Sequence, residues 1–300
     1  MTLLALGTSI SWGQGHAPRD KFVSIVADAL GLEVRNYARS GATLWDPRAP
    51  RYPQSLAEAA DMLPRAPVPA RANRADGEVP CAQPYLWAQL LEARAHEQPT
   101  VVLIDAGAND VDFVSQVVMP DVRAADVALA VERRLSGNVA PFLRAVRESW
   151  PDAAIVLSTY FEAFTSSSDL RRARLSWFLR GILGSCVPDT AITNSMAFRV
   201  AFERLHAREV AAVNVLGGKP VLLAVPDFGR DRGMFAPGSL IWECDEHGHA
   251  VDTVRIDRIL RSHGSTLERL VTARASLGHP NVEGSRAYAR AILAALASTT

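Results

Sequence analysis

Cysteine is scarce in this chain. Cys81, Cys186 and Cys244 are the only three in 300 residues, and their odd number and wide spacing make neither a disulfide framework nor a Cys-x-x-Cys metal pair. They read as ordinary thiols. An excess of one charge is also absent: 32 basic side chains balance 32 acidic ones, which removes the electrostatic ground for a polyanionic partner such as nucleic acid. No apolar run is long enough to span a bilayer. The opening run, Thr2 to Leu6, has no basic leader and stops at Gly7, too short for the core of a signal peptide. With Met1 as the true start the chain is expected in the cytoplasm, although a trimmed leader would leave the same sequence. A Gly-x-Gly-x-x-Gly fingerprint is missing, since Pro18 falls where the third glycine belongs, and so is a Gly-Lys-Ser/Thr phosphate loop.

A hydrophobic content of 48% over this length can bury a sizeable core, so one domain spanning residues 1–300 is expected. Short apolar runs alternate with helical patterns, the signature of βαβ units around a parallel sheet. The runs Leu3 to Leu6, Glu33 to Ala38, Val101 to Asp105, Ala154 to Tyr160 and Val221 to Val225 read as five strands. Between the first two, Phe22, Ile25, Val26, Ala29 and Leu30 form one helical stripe, with Gly31 as its stop. A longer stripe runs from Val131 through Leu135, Val139, Phe142, Leu143 and Val146 to Trp150, and Pro151 closes it. Another helix is expected over Ser195 to Val215, and a last one after Pro280, with Asn281 as N-cap and Tyr288, Ile292 and Leu296 on one face. The fold class is α/β: a three-layer α/β/α sandwich around a five-stranded, mostly parallel, flavodoxin-like sheet. Residues 46–80 carry seven prolines, too many for regular structure, and read as an insertion. Residues 229–271 read as a second one.

In an open parallel sheet ligands bind outside the carboxyl ends of the strands. Gly7-Thr8-Ser9 follow the first strand, Ser40-Gly41 the second, and Ala106-Gly107-Ala108-Asn109-Asp110 the third. A serine that attacks an acyl carbon needs a base, donors for the oxyanion and exposure on a tight turn. Ser9 sits where the chain turns into a helix, Gly41 leaves a backbone amide open, and Asn109 brings a side-chain NH2. Taken singly, Ser9 is also a helix cap, Gly41 a turn glycine, and Asn109-Asp110 an Asx turn. Asp110 reads as structural and Asp112 as a surface or capping carboxylate. Of the seven histidines, His279 stands before a Pro-Asn step that opens a helix, whereas His16 lies nearer to Ser9 in sequence. His247 and His249, beside Asp245 and Glu246, have the look of a metal cluster but read as a solvated loop with no distant ligand set.

These blocks together resemble the SGNH (GDSL-like) hydrolases. That family places Gly-Asp-Ser after its first strand, a lone Gly after its second, Gly-x-Asn-Asp after its third and Asp-x-x-His-Pro before its last helix. Here Gly7-Thr8-Ser9, Gly41, Gly107-Ala108-Asn109-Asp110 and His279-Pro280 stand in the same order. The resemblance covers roughly half the chain in short pieces. It implies Ser9 as nucleophile, His279 as general base, and the Ser9 amide, Gly41 amide and Asn109 side chain as oxyanion hole, with no metal and no cofactor. The implied substrate is a small-molecule carboxylic ester, cleaved through an acyl-enzyme. The resemblance also admits thioesters, O-acetyl sugars, lysophospholipids and acyl transfer to an acceptor other than water. A Gly-x-Ser-x-Gly elbow, which marks the other large α/β esterase class, does not occur. Leu44, Trp45, Phe113 and Phe161 follow strand ends and suit either an acyl pocket or the core.

Two departures stand out. Thr8 replaces the family's Asp at a position that shapes the turn, so altered packing with retained chemistry is expected. The family's acid three residues before the histidine is Ser276 here. Loss of such an orienting carboxylate costs about 10⁴ in turnover in serine proteases. The replacements open to this chain are the Ser276 hydroxyl, a backbone carbonyl between Arg274 and Leu277, or a carboxylate from Glu243, Asp245 or Glu283. The reading favours a Ser9–His279 dyad held by a backbone carbonyl. An acyl-binding protein with weakened turnover is the alternative that the two departures motivate.

Overall fold

The three central strands of the sheet are buried along nearly their whole length, which is why their apolar runs are continuous instead of alternating. The computed structural model describes residues 1–63, 85–175, 187–243 and 277–298. Five strands, β1 (Thr2–Leu6), β2 (Glu33–Asn36), β3 (Val101–Asp105), β4 (Ala154–Ser158) and β5 (Val221–Ala224), form one sheet in the order β2-β1-β3-β4-β5. All four pairings are parallel, with Leu3 opposite both Val34 and Val101. The flavodoxin-like α/β expectation therefore holds. At the β2 edge residues alternate between exposed and half-buried, as suits a strand with one free side.

The helices are α1 (Ser9–Trp12), α2 (Phe22–Leu30), α3 (Leu56–Met62), α4 (Leu86–His96), α5 (Phe113–Val118), α6 (Ala124–Leu135), α7 (Val139–Ser149), α8 (Leu170–Leu175), α9 (Ala191–Asn214) and α10 (Val282–Ala297). Helices α2 and α10 pack together and cover one face of the sheet, while α4, α7 and α9 pack over the other with α6 against α9. Gly31 ends α2 at φ 65°, a left-handed conformation that favours glycine. Asn281 caps α10 by accepting from the Glu283 and Gly284 amides. Among the described residues no helix is long and apolar enough to cross a membrane.

Four local expectations are corrected. The stripe from Val131 to Trp150 is two helices, because Gly137 turns the chain at φ 71° between α6 and α7. The break is sealed by Glu209 of α9, whose carboxylate accepts from the Gly137 amide at 3.2 Å and the Ala140 amide at 3.1 Å. The second strand stops at Asn36, not Ala38, since the Asn36 side chain accepts from the Ala38 amide at 3.0 Å and bends the chain out of the sheet. The fourth stops at Ser158, and Thr159 already donates to Ala224 across the strand end. The proline-rich stretch is not wholly irregular: Ser55 caps α3 by accepting from Glu58, and the prolines flank that helix.

His206 of α9 is fully buried, its ring 4.2 Å from that of Phe202. Burial pushes its pKa from 6.5 down to about 3. The unfolded chain's His206 takes up a proton below about pH 6.5 whereas the folded one does not, so folded stability falls as pH drops from there toward 3, by about 1.4 kcal/mol per unit. Replacing His206 by Leu removes this slope. Urea midpoints of the native chain and the variant should diverge between pH 7 and 5, the native falling faster. Asp110, shifted the opposite way, titrates in both proteins and cancels from the difference. Parallel profiles would refute the assignment.

Candidate active site

The C-terminal edge of the sheet is stitched together by hydrogen bonds between strand-end loops. At the end of β1, the Gly7 amide donates to Gln89 Oε1 at 2.8 Å while Gln89 Nε2 donates back to the Gly7 carbonyl at 3.0 Å. That carbonyl also accepts from the Arg39 amide at 3.0 Å, which joins the β2 loop to the Ser9 turn. Thr8 is the N-cap of α1, its hydroxyl accepting from the Ile10 amide.

Asn109 and Asp110 fasten the β2 loop from the β3 side. Asn109 Nδ2 donates to the Ala42 carbonyl at 2.8 Å, beside Gly41, which lies exposed at φ 78°. An amide nitrogen carries two hydrogens, so one remains for a ligand. Asp110 accepts from the Leu44 amide through both carboxylate oxygens, at 3.1 and 3.0 Å, and from the Tyr52 hydroxyl at 3.0 Å. Burial lifts its pKa to about 6 against the pull of those donors. Asp112 is exposed and makes no side-chain capping bond to α5. Leu44, Trp45 and Phe161 are core residues, and Phe113 packs at a steep angle against Tyr160 and Phe198.

His279 arrives from the other side of the sequence, 270 residues beyond Ser9. His279 Nε2 lies 2.7 Å from Ser9 Oγ, and its Nδ1 lies 3.3 Å from the Leu277 carbonyl. The loop that carries it is clamped to residues 239–242. The Trp242 amide donates to the His279 carbonyl at 2.7 Å, the Gly278 amide to the Trp242 carbonyl at 3.0 Å, and the Asn281 amide to the Leu240 carbonyl at 2.8 Å. Asn281 Nδ2 adds a bond to the Ser239 carbonyl at 2.7 Å. So the start of the second irregular stretch braces the histidine loop.

His16, the other histidine considered beside Ser9, does different work. Its Nε2 sits 2.8 Å from the Pro280 carbonyl and its ring 5.7 Å from that of Trp242, so it supports the same loop from beneath. Glu243 is engaged by the Phe235 amide at 2.6 Å, and Glu283 pairs with Arg286. Ser276, Asp245, Glu246, His247, His249 and the three cysteines lie outside the described residues. Among the described residues no group of three His, Cys, Asp or Glu side chains could hold a metal ion.

Asp105, Gln89 and the 239–242 clamp are the site elements that sequence reading missed. Asp105 carried a readable sign: it is an acid closing an apolar strand, one residue short of the loop that holds Asn109. It lies buried beneath Thr8 and Ser11, and burial raises its carboxyl above the ordinary carboxylate range against the hydrogen bonds it accepts.

The sequence pattern of the GDSL-like lipase/acylhydrolase family matches residues 3–167, more than half of the chain. No curated protein matches the chain in sequence. Among solved structures, the extracellular lipase from Streptomyces rimosus superposes with a TM-score of 0.55 at 14% identity over 100% of both chains. Phospholipase A1 from Streptomyces albidoflavus NA297 gives 0.49 at 15% identity, covering 100% of this chain and 99% of that one. A family two carbohydrate esterase from Clostridium thermocellum gives 0.45 at 13%, covering 99% of this chain and 64% of that one. At such identities the first likeness speaks for the fold alone. With the matched span carrying the Ser9, Gly41 and Asn109 blocks in order, the chain belongs to the GDSL-like lipase/acylhydrolase family of hydrolases.

Proposed function

We propose that the protein hydrolyses a carboxylic ester through an acyl-enzyme on Ser9, with His279 as general base and acid. The observation that carries this reading is the 2.7 Å contact between Ser9 Oγ and His279 Nε2. It joins residues at opposite ends of the chain on the edge where ligands of parallel sheets bind. Ser9 Oγ attacks the carbonyl carbon while its proton passes to Nε2. The oxyanion rests on the Ser9 and Gly41 amides and on the second Asn109 Nδ2 hydrogen. The carbon–oxygen bond to the alcohol then breaks, and the alcohol oxygen takes the proton from His279. Water attacks the acyl-enzyme, loses its proton to His279, and the acid leaves as Ser9 recovers its own. The Leu277 carbonyl, 3.3 Å from Nδ1, accepts the Nδ1 proton and so leaves the lone pair on Nε2 to take the serine's.

A fluorophosphonate probe tests this. Ser9 Oγ should displace fluoride from phosphorus, giving a stable adduct that intact-mass measurement detects and peptide mapping places on Ser9. The native chain should label, and Ser9→Ala and His279→Ala should not. Labelling indifferent to both substitutions, or none at all, would reject the reading in favour of an acyl-binding protein.

A further inference from the structure

The turn that carries Ser9 is held from below by a single carboxylate. Asp105, the last residue of β3, accepts from the Thr8 amide at 3.0 Å and from the Ser11 amide at 3.1 Å through Oδ1, and from the Thr8 hydroxyl through Oδ2. The residues it grips flank Ser9 and Ile10 on either side. The Thr8 hydroxyl, donating to Asp105, is also the acceptor of the Ile10 amide at 3.3 Å. Thus the amides of residues 8, 10 and 11 all depend on this carboxylate, directly or through Thr8. Among the described residues the Ser9 amide is the one of that turn with no protein acceptor, which leaves it for the oxyanion. Gly7 has no Cβ because there is no room for one: an added Cβ would stand 2.0 Å from Asp105 Oδ1.

We infer that Asp105 is the positioning residue of the nucleophile turn, supplying from the end of β3 the carboxylate that a Gly-Asp-Ser pattern would carry at residue 8. The inference rests on the Ser9 reading above. Its physical content is a complementarity between positions 8 and 105: one must offer a hydroxyl or amide donor where the other offers a carboxylate oxygen. Thr8→Asp alone brings two carboxylates into contact, and one of them must hold a proton or swing away. Asp105→Asn alone keeps Oδ1 for the two amides but turns an NH2 toward the Thr8 hydroxyl, whose proton then lacks its acceptor. Together the two changes restore the match, with the introduced side-chain amide at position 105 donating to the introduced carboxylate at position 8.

The test is the four-membered cycle of native chain, Thr8→Asp, Asp105→Asn and the double variant, read as fluorophosphonate labelling kinetics with thermal midpoints alongside. A displaced serine lowers the rate of the covalent step and spares probe affinity, so kinact should fall with KI unchanged. The expected losses are about 10²-fold for Thr8→Asp and about tenfold for Asp105→Asn, the scale of a small misplacement of a reacting atom. Independent effects would multiply to about 10³-fold, whereas the double variant should stay within about tenfold of native. Native kinetics in both single variants, or multiplied losses in the double, would overturn the role of Asp105 while leaving the Ser9 reading intact. If Thr8→Asp does not fold, the double against Asp105→Asn decides: faster labelling supports the complementarity, slower labelling overturns it. Absence of labelling in the native chain would overturn both.

Discussion

His279→Ala should lower turnover of an activated ester, such as a p-nitrophenyl ester, by a factor on the order of 10⁵ to 10⁶, and Ser9→Ala by a similar amount. The expectation follows from the shared proton. On the proposed mechanism the serine oxygen is a weak nucleophile until Nε2, 2.7 Å away, takes its hydrogen, and the imidazole has no covalent task of its own. On that mechanism each side chain depends on the other. The double variant Ser9→Ala, His279→Ala should therefore be no slower than either single one, which separates a unit from two independent contributors. The loss in His279→Ala also differs from an unfolding effect: the residue is half-buried, and the loop clamp runs through its backbone carbonyl. The thermal midpoint should hold within a few degrees while kcat collapses. Steady-state kinetics on the three variants decide the matter, and additive losses or an active Ser9→Ala would refute the dyad.

Gly284→Ala, which touches neither Ser9 nor His279 in the contacts of its added Cβ, should come second in effect. A Cβ at this position would stand 2.2 Å from the Leu240 carbonyl oxygen, 3.0 Å from Pro280 Cβ and 3.2 Å from Phe228 Cζ. The first of these is backbone, and the same carbonyl already accepts from the Asn281 amide. The methyl group must push α10 away from residues 239–242, which are the other jaw of the clamp on the histidine loop. Overpacking of this kind costs about 1–3 kcal/mol, and a 1 Å displacement of His279 about 10²-fold in rate. Urea denaturation should report the first, and kcat, measured well below the transition, the second. A variant with reduced stability and native kcat would show that the clamp holds the fold without setting the position of the base.

Much of this architecture could be read before any coordinates. β3 begins and ends where the run Val101 to Asp105 does, because a strand buried on both faces reads as a near-continuous apolar run, here closed by one acid. Gly31 and Asn281 sit at their helix ends as their chemistry demands. The blocks at Ser9, Gly41, Asn109 and His279 were legible because each is a short stretch tied to a strand end or helix start. Bonds between residues distant in sequence leave no such trace. Gln89 grips Gly7 across 82 positions and His16 meets Pro280 across 264, and nothing periodic marks either. Gly137 misled for another reason: the apolar stripe keeps its phase on both sides of the turn, so periodicity alone could not show that the helix breaks there.

The 270-residue separation of Ser9 and His279 has a consequence for how the protein comes into being. Ser9 lies on the turn after β1 and leaves the ribosome 270 residues before His279. A nascent or refolding chain can complete the sheet, the Asp105-held turn and the Gly41 loop while the proposed site still lacks His279. Reactivity would then arise in one late step, the docking of α10 and its clamp. During synthesis the serine would be shielded from premature acylation by the order in which the chain emerges.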